Sequence, residues 1–120
     1  MKYNPKLVSM YYKQMGLPLP VFEHQHIPGR QFRLDIAFPD YKLGIEVQGG
    51  IYKKYRNGHT SISGILRDME KNNLGILAGW RVFIITPEEV CMMHTVKALK
   101  TMIDLYDKNL TVMCPTITDN

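Results

Sequence analysis

Apolar side chains at Phe32, Leu34, Ile36 and Phe38 alternate with polar or small ones, and Leu43, Ile45 and Val47 resume the alternation after a break. A period of two belongs to strands with one buried face. In the break, Pro39-Asp40-Tyr41-Lys42 offers a proline that fixes φ and an aspartate able to bond its own backbone, so the two runs should fold back as a hairpin. Closing it with Phe38 opposite Leu43 sets Ile36 opposite Ile45 and Leu34 opposite Val47. One apolar face results.

The flanking segments read as three helices and two further strands. Residues 5–15 carry Leu7, Val8, Met10, Tyr11 and Met15 at helical spacing and stop at Gly16. Val21 to Ile27 reads as a strand with Phe22, His24 and His26 on one face, and Pro28-Gly29 feeds it into the hairpin as a three-stranded antiparallel meander. Ser61 or Thr60 can cap a helix that ends near Gly79, and its stripe of Ile62, Ile65, Leu66, Met69, Ile76 and Leu77 should face the core. Trp80 to Ile85, WRVFII, is a nearly continuous apolar run that predicts a buried strand, parallel to a hairpin strand because a helix intervenes. Thr86-Pro87-Glu88-Glu89 opens a last helix. Its apolar positions are Met92, Val96, Leu99, Ile103, Tyr106 and Leu110. This order predicts an α/β fold, a mixed four-stranded sheet flanked by helices.

Bulk properties narrow the function without choosing it. With 120 residues, 45% hydrophobic and 22% charged, the chain reads as one ordinary globular domain spanning residues 1–120. A formal charge of +4 suits a polyanionic partner such as nucleic acid. Cys91 and Cys114 are too few and too far apart for a disulfide framework or a zinc site, and neither a secretory signal nor a long apolar run is read, so the expected compartment is a reducing cytoplasm with no membrane partner.

The hairpin register also creates a conflict. It sets Asp35 opposite Glu46 and Arg33 opposite Gln48 on the polar face, and directly opposed carboxylates repel. A divalent cation between them removes the repulsion, since carboxylates and a neighbouring backbone carbonyl, here that of Val47, are the oxygen donors Mg²⁺ or Mn²⁺ prefers. Gln48 projects from the same face. Beyond Gly49-Gly50, the stretch Lys53-Lys54-Tyr55-Arg56 with His59 interleaves cations and aromatic rings, a composition that suits a loop along a phosphate backbone or an ordinary exposed basic loop. His59 could bind phosphate as a cation, shuttle a proton, or merely precede a helix. Glu23 could add a third carboxylate or be a solvated strand residue. His24 and His26 lack partners at metal-binding spacing and read as surface or half-buried histidines.

Arg33-Leu34-Asp35-Ile36-Ala37-Phe38-Pro39 followed by Ile45-Glu46-Val47-Gln48-Gly49-Gly50 resembles the core of the PD-(D/E)XK nucleases, in the version found in small phage and bacterial endonuclease-domain proteins. The likeness runs from about Glu23 to Val90 and includes Gly58-His59-Thr60, Asp68, Lys71, Gly79-Trp80-Arg81-Val82 and Thr86-Pro87-Glu88. Gln48 departs from it, standing where the pattern usually has Lys.

The resemblance implies a restriction-endonuclease-like core and a Mg²⁺- or Mn²⁺-dependent endodeoxyribonuclease acting on DNA in a bacterial host cell. On this reading Asp35, Glu46 and the Val47 carbonyl hold the ion, Gln48 orients water, and Glu23, His59 and Lys71 are further candidates for the catalytic site. Arg33, Lys53, Lys54, Tyr55, Arg56 and His59 would contact the nucleic acid. Helical periodicity places Lys71 opposite the apolar stripe, in solvent, while the resemblance places it at the site. With one site per chain, cutting both strands of a duplex would take a homodimer or two visits. The alternative is a catalytically inactive nucleic-acid-binding module of the same fold.

Overall fold

The structure, a computed structural model, describes residues 3–49 and 61–113. Gly50, the basic segment with Lys53, Lys54, Tyr55, Arg56 and His59, and the tail from Cys114 lie outside the described residues. The element order is α1 (Pro5–Gln14), β1 (Val21–Gln25), β2 (Arg33–Phe38), β3 (Leu43–Val47), α2 (Ile62–Leu77), β4 (Arg81–Ile85) and α3 (Met93–Met113). The fold is α/β. Its four strands form one mixed sheet in the order β1-β2-β3-β4, antiparallel up to β3 and parallel between β3 and β4.

Local chemistry sets the ends of these elements. Asn4 caps α1, its Oδ1 accepting from the backbone N–H of Lys6 at 3.0 Å, and Gly16 leaves the helix at φ +82°. The hairpin turn is a single 3-10 turn over Pro39–Tyr41, closed by Lys42 at φ +47°. Lys42 then donates from Nζ to the Ala78 carbonyl at 2.7 Å, tying the turn to the C-terminal end of α2, where a cation also suits the helix dipole. Ser61 caps α2, its Oγ accepting from Gly64 N–H at 3.0 Å. The last helix starts later than the sequence suggests. Glu89 accepts from the Thr86 N–H and hydroxyl as a capping pair, yet Pro87–Glu89 forms only a 3-10 turn before α3 begins at Met93, and Met92 is exposed.

The main core lies on one face of the sheet. Val8 and Tyr12 of α1, Ile36 and Phe38 of β2, Leu43 and Ile45 of β3, and Val96, Leu99 and Ile103 of α3 are buried together. Tyr12 fixes the layers polar as well as apolar: its buried hydroxyl donates to the Val90 carbonyl at 2.7 Å. A second, smaller cluster of Leu34, Ala37 and Trp80 lies apart from the first.

The hairpin register is as expected, with Phe38 paired to Leu43, Ala37 to Gly44 and Ile36 to Ile45. The uniform apolar face is not. Phe22 and Ile36 pack on the main core, but the next pair along, His24 with Leu34, is on the Trp80 side. Leu34 therefore does not share a face with Val47, and Phe22 does not share one with His24 and His26. The cause is local: Glu23 has φ +52°, and the Glu23–Asp35 pair that would lie between is missing from the ladder. Alternation assumes extended backbone at every step, and one left-handed residue breaks it.

Two further expectations fail on the other face of the sheet. The α2 stripe does not face the core: Ile62, Leu66, Met69, Ile76 and Leu77 are all exposed, and Gly75 is the buried residue of the helix. On this side α2 turns Lys71 inward, to Glu46 and the Arg33 carbonyl. Strand β4 is an edge strand whose Phe83 and Ile85 pack on the main core while Val82 and Ile84 stay exposed. The expected buried strand is thus only half-buried: Phe83 and Ile85 are partly covered by the main core, and Trp80, just before the strand, is buried in the second cluster.

Candidate active site

The break in β1 and β2 shapes a polar patch at the end of the β2–β3 ladder. Asp35 does not pair with Glu46 across the strands. Its Oδ2 accepts from the Val47 N–H at 2.7 Å, which holds the carboxylate at the point where the ladder ends. Glu46, on β3, is close enough for the charge of Asp35 to raise its pKa, though burial is the larger cause of that rise.

Lys71 of α2 opposes this shift. Its Nζ lies 2.5 Å from Glu46 Oε1 and donates also to the Arg33 carbonyl at 2.6 Å. With side chains only 20% and 22% exposed, Lys71 and Glu46 form a largely desolvated pair. The helical-wheel expectation of a solvent-facing Lys71 is therefore corrected. The wheel correctly set Lys71 opposite the apolar stripe but assigned the stripe to the wrong environment.

Gln48 follows on β3; its N–H donates to the Ile85 carbonyl at 2.7 Å, and its side chain lines a cleft of about 440 Å³ between α2 and the sheet. Glu46, Lys71, Asp68 and Asn72 line the same cleft, with Trp80 and Ile84 on its apolar side. Arg33 is exposed and borders a neighbouring cleft with Arg67, Asp68 and Lys71. Among the predicted residues that are described, Asp35, Glu46, Gln48 and Lys71 are thus brought to one region. Glu23 is exposed beside them, and its charge, with those of Asp35 and Glu46, reaches the Tyr3 hydroxyl. Lys53, Lys54, Tyr55, Arg56 and His59 lie outside the described residues.

Three participants escaped the sequence reading. Tyr3 places a buried hydroxyl near the carboxylates, with no hydrogen-bond partner among the described residues; burial, then Asp35, pushes its pKa up to about 12. Nothing in its sequence position signals this. Arg67 precedes Lys71 by one helical turn, the signal by which it could have been found, and its guanidinium lies 5.5 Å from the Phe32 ring centroid. Arg30 sits 4.9 Å from the same ring and pairs with Glu70. Both cations border one cleft beside Phe32.

His26 forms the floor of the larger cleft. It is 5% exposed, its Nδ1 has no hydrogen-bond partner among the described residues, and its ring lies edge-on to Trp80 at 5.5 Å. Burial, then the nearby charges of Lys71 and His24, lowers its pKa to about 4, so it is neutral at pH 7.

Comparison with protein-family models, with curated proteins and with solved structures gives no match. The chemistry rests on the side chains themselves. Among the described residues no group of three or more His, Cys, Asp or Glu is poised to hold a metal ion. Mg²⁺ is characteristically held by only one or two carboxylates, with water and substrate phosphate completing its shell. Asp35 and Glu46 are the carboxylates here that could serve: Oδ2 and Oε1 are engaged, and Oδ1 and Oε2 accept no hydrogen bond among the described residues. No helix among the described residues is long and apolar enough to cross a membrane.

Proposed function

We propose that this domain is a metal-dependent endonuclease that hydrolyses phosphodiester bonds in DNA, with a restriction-endonuclease-like core. The observation that carries the reading is the position of Lys71, whose Nζ is 2.5 Å from Glu46 Oε1. Gln48 occupies the place where such a core usually has Lys, and α2 delivers an ammonium to that same patch.

Asp35 and Glu46 would hold Mg²⁺ or Mn²⁺, with the Val47 carbonyl as a third oxygen donor. When bound, the ion supplies positive charge against the phosphate and acidifies water. Lys71 uses two of its three donors on Glu46 and Arg33 and keeps the third for a phosphate oxygen. Gln48 orients the attacking water by hydrogen bonding; an amide is too weak a base to deprotonate it. Arg33 and Arg67, along the adjoining cleft, would steer the nucleic-acid backbone toward Lys71.

The test is nicking of supercoiled plasmid with Mn²⁺ by the wild type, Asp35→Ala and Glu46→Ala. The expected outcome is metal-dependent nicking lost in both variants; an inert wild type would sink the reading. A second reading, a binding module without cleavage, draws on the Lys71–Glu46 pair, which already neutralises one of the two carboxylates. It predicts salt-dependent DNA binding with no nicking.

A further inference from the structure

The outer face of α2 is built like a buried surface yet is exposed among the described residues. Ile62, Leu66, Met69, Ile76 and Leu77 are between 55% and 82% exposed, and Ile65 is 43% exposed. They occupy one side of the 16-residue helix, opposite Lys71. At these exposures the six side chains present on the order of 600 Å², the upper end of what a monomer normally shows as a single apolar patch. Ile84 of β4, 65% exposed, and Val82 line the cleft beside Ile76 and extend the patch to the edge strand. Together they approach the roughly 800 Å² that each partner contributes to a standard interface.

We infer that a second copy of this chain covers this face, α2 packing against its counterpart about a two-fold axis. The spacing favours self-association. Ile62, Ile65, Met69 and Ile76 fall on alternating a and d positions of one heptad series, the spacing at which a helix packs along a like helix, with Asn72 at a d position as the one polar member. The stripe also has a centre. Met69 lies midway between Ile62 and Leu77, so two-fold pairing in either helix direction brings the two Met69 side chains together. An isologous contact needs such self-complementarity, whereas a face made for an unrelated partner does not. Because Ile76 and Ile84 also line the cleft that holds Glu46 and Lys71, pairing would set the two clefts beside one another at the edge of the interface. Dimerisation through α2 does not require that the cleft be catalytic.

Sedimentation of the full chain at tens of micromolar tests this. The wild type is expected at twice the 13.9 kDa of one chain, and Leu66→Glu and Met69→Glu at half the wild-type mass with unchanged circular dichroism. Met69→Cys in a Cys91→Ser, Cys114→Ser background should oxidise to a covalent dimer. A monomeric wild type overturns the inference, and one that floats with phosphatidylcholine vesicles would assign the face to lipid instead. A dimer that survives Met69→Glu, or that Met69→Cys fails to cross-link, overturns the assignment to α2.

Discussion

Lys71 reaches across from α2 to Glu46 on β3, Nζ to Oε1 at 2.5 Å, and this contact anchors the helix where an apolar stripe would ordinarily do so. The pair has unequal members. Burial raises the pKa of Glu46 and Lys71 works against that rise, while Lys71 has a second acceptor in the Arg33 carbonyl.

Removing Lys71 should therefore harm the fold more than neutralising Glu46. Lys71→Met leaves a largely buried carboxylate without its cation and is expected to cost about 2 kcal/mol in urea unfolding at pH 7. Glu46→Gln keeps the bond from Lys71 to Arg33 and should stay within about 1 kcal/mol of wild type. The sign with pH follows from the raised pKa: the folded state binds the Glu46 proton more tightly than the unfolded chain. The wild type should lose stability relative to Glu46→Gln as pH rises above the ordinary carboxylate value of 4.5. Both variants should abolish nicking, so their activities match while their stabilities differ.

Glu23 is a second place where the chain departs from what is locally easiest. A non-glycine residue at φ +52° inside a strand costs on the order of 1 kcal/mol. Glu23→Gly should stabilise the protein by about 0.5–1 kcal/mol, because glycine takes that conformation freely. A β-branched residue there, as in Glu23→Val, should destabilise by a similar amount or more. Thermal unfolding of the two variants would show opposite shifts. If Glu23 also assists at the site, Glu23→Gly would gain stability and lose nicking together.

The sequence revealed whatever depended on short-range chemistry. The Pro39–Lys42 turn, the Ser61 cap and the stop at Gly79 follow from single residues with strong backbone preferences, and the turn in turn dictates the Phe38–Leu43 register. What failed depended on which surface a pattern meets. The α2 stripe is plain in the sequence, but periodicity cannot tell a core from an open face, so it puts Lys71 in solvent where the resemblance puts it at the site. The face change at Glu23 has no signal either, since nothing in the residue type marks a positive φ there. The candidate site lies where these two differences meet: Asp35 and Glu46 are legible from the hairpin and Arg67 from its spacing to Lys71, whereas Tyr3 and the contact that Lys71 makes are not.

Gly44 and Leu34 should show a packing conflict that neither residue reveals alone. A Cβ built on Gly44 would sit 2.4 Å from Leu34 Cδ1 and 3.3 Å from its Cγ, and Leu34 is 1% exposed with little room to turn away. Gly44→Ala is expected to cost about 1–3 kcal/mol by overpacking. Leu34→Ala alone should cost about 2–4 kcal/mol through the cavity it leaves. The double variant should be more stable than the sum of the two by about 1 kcal/mol or more, because the new methyl then occupies part of that cavity. Strict additivity in a urea series would show that Leu34 moves aside freely.

His26 links stability to mild acid. Its pKa falls to about 4 from an ordinary 6.5, so between those values the unfolded chain binds a proton that the folded chain does not. Stability must then rise with pH across this window, fully present above pH 6.5 and lost as pH falls toward 4. The shift corresponds to roughly 3 kcal/mol at full expression. Protonation would place a cation in a buried position, where Nδ1 has no hydrogen-bond partner among the described residues, and near the charges of Lys71 and His24. His26→Phe keeps the aromatic contact and removes the proton site. Unfolding free energies of wild type and His26→Phe measured at pH 7 and pH 5 should diverge, with the wild type losing about 2 kcal/mol more between the two pH values. Equal losses would mean that the imidazole can take up its proton without leaving the cleft floor.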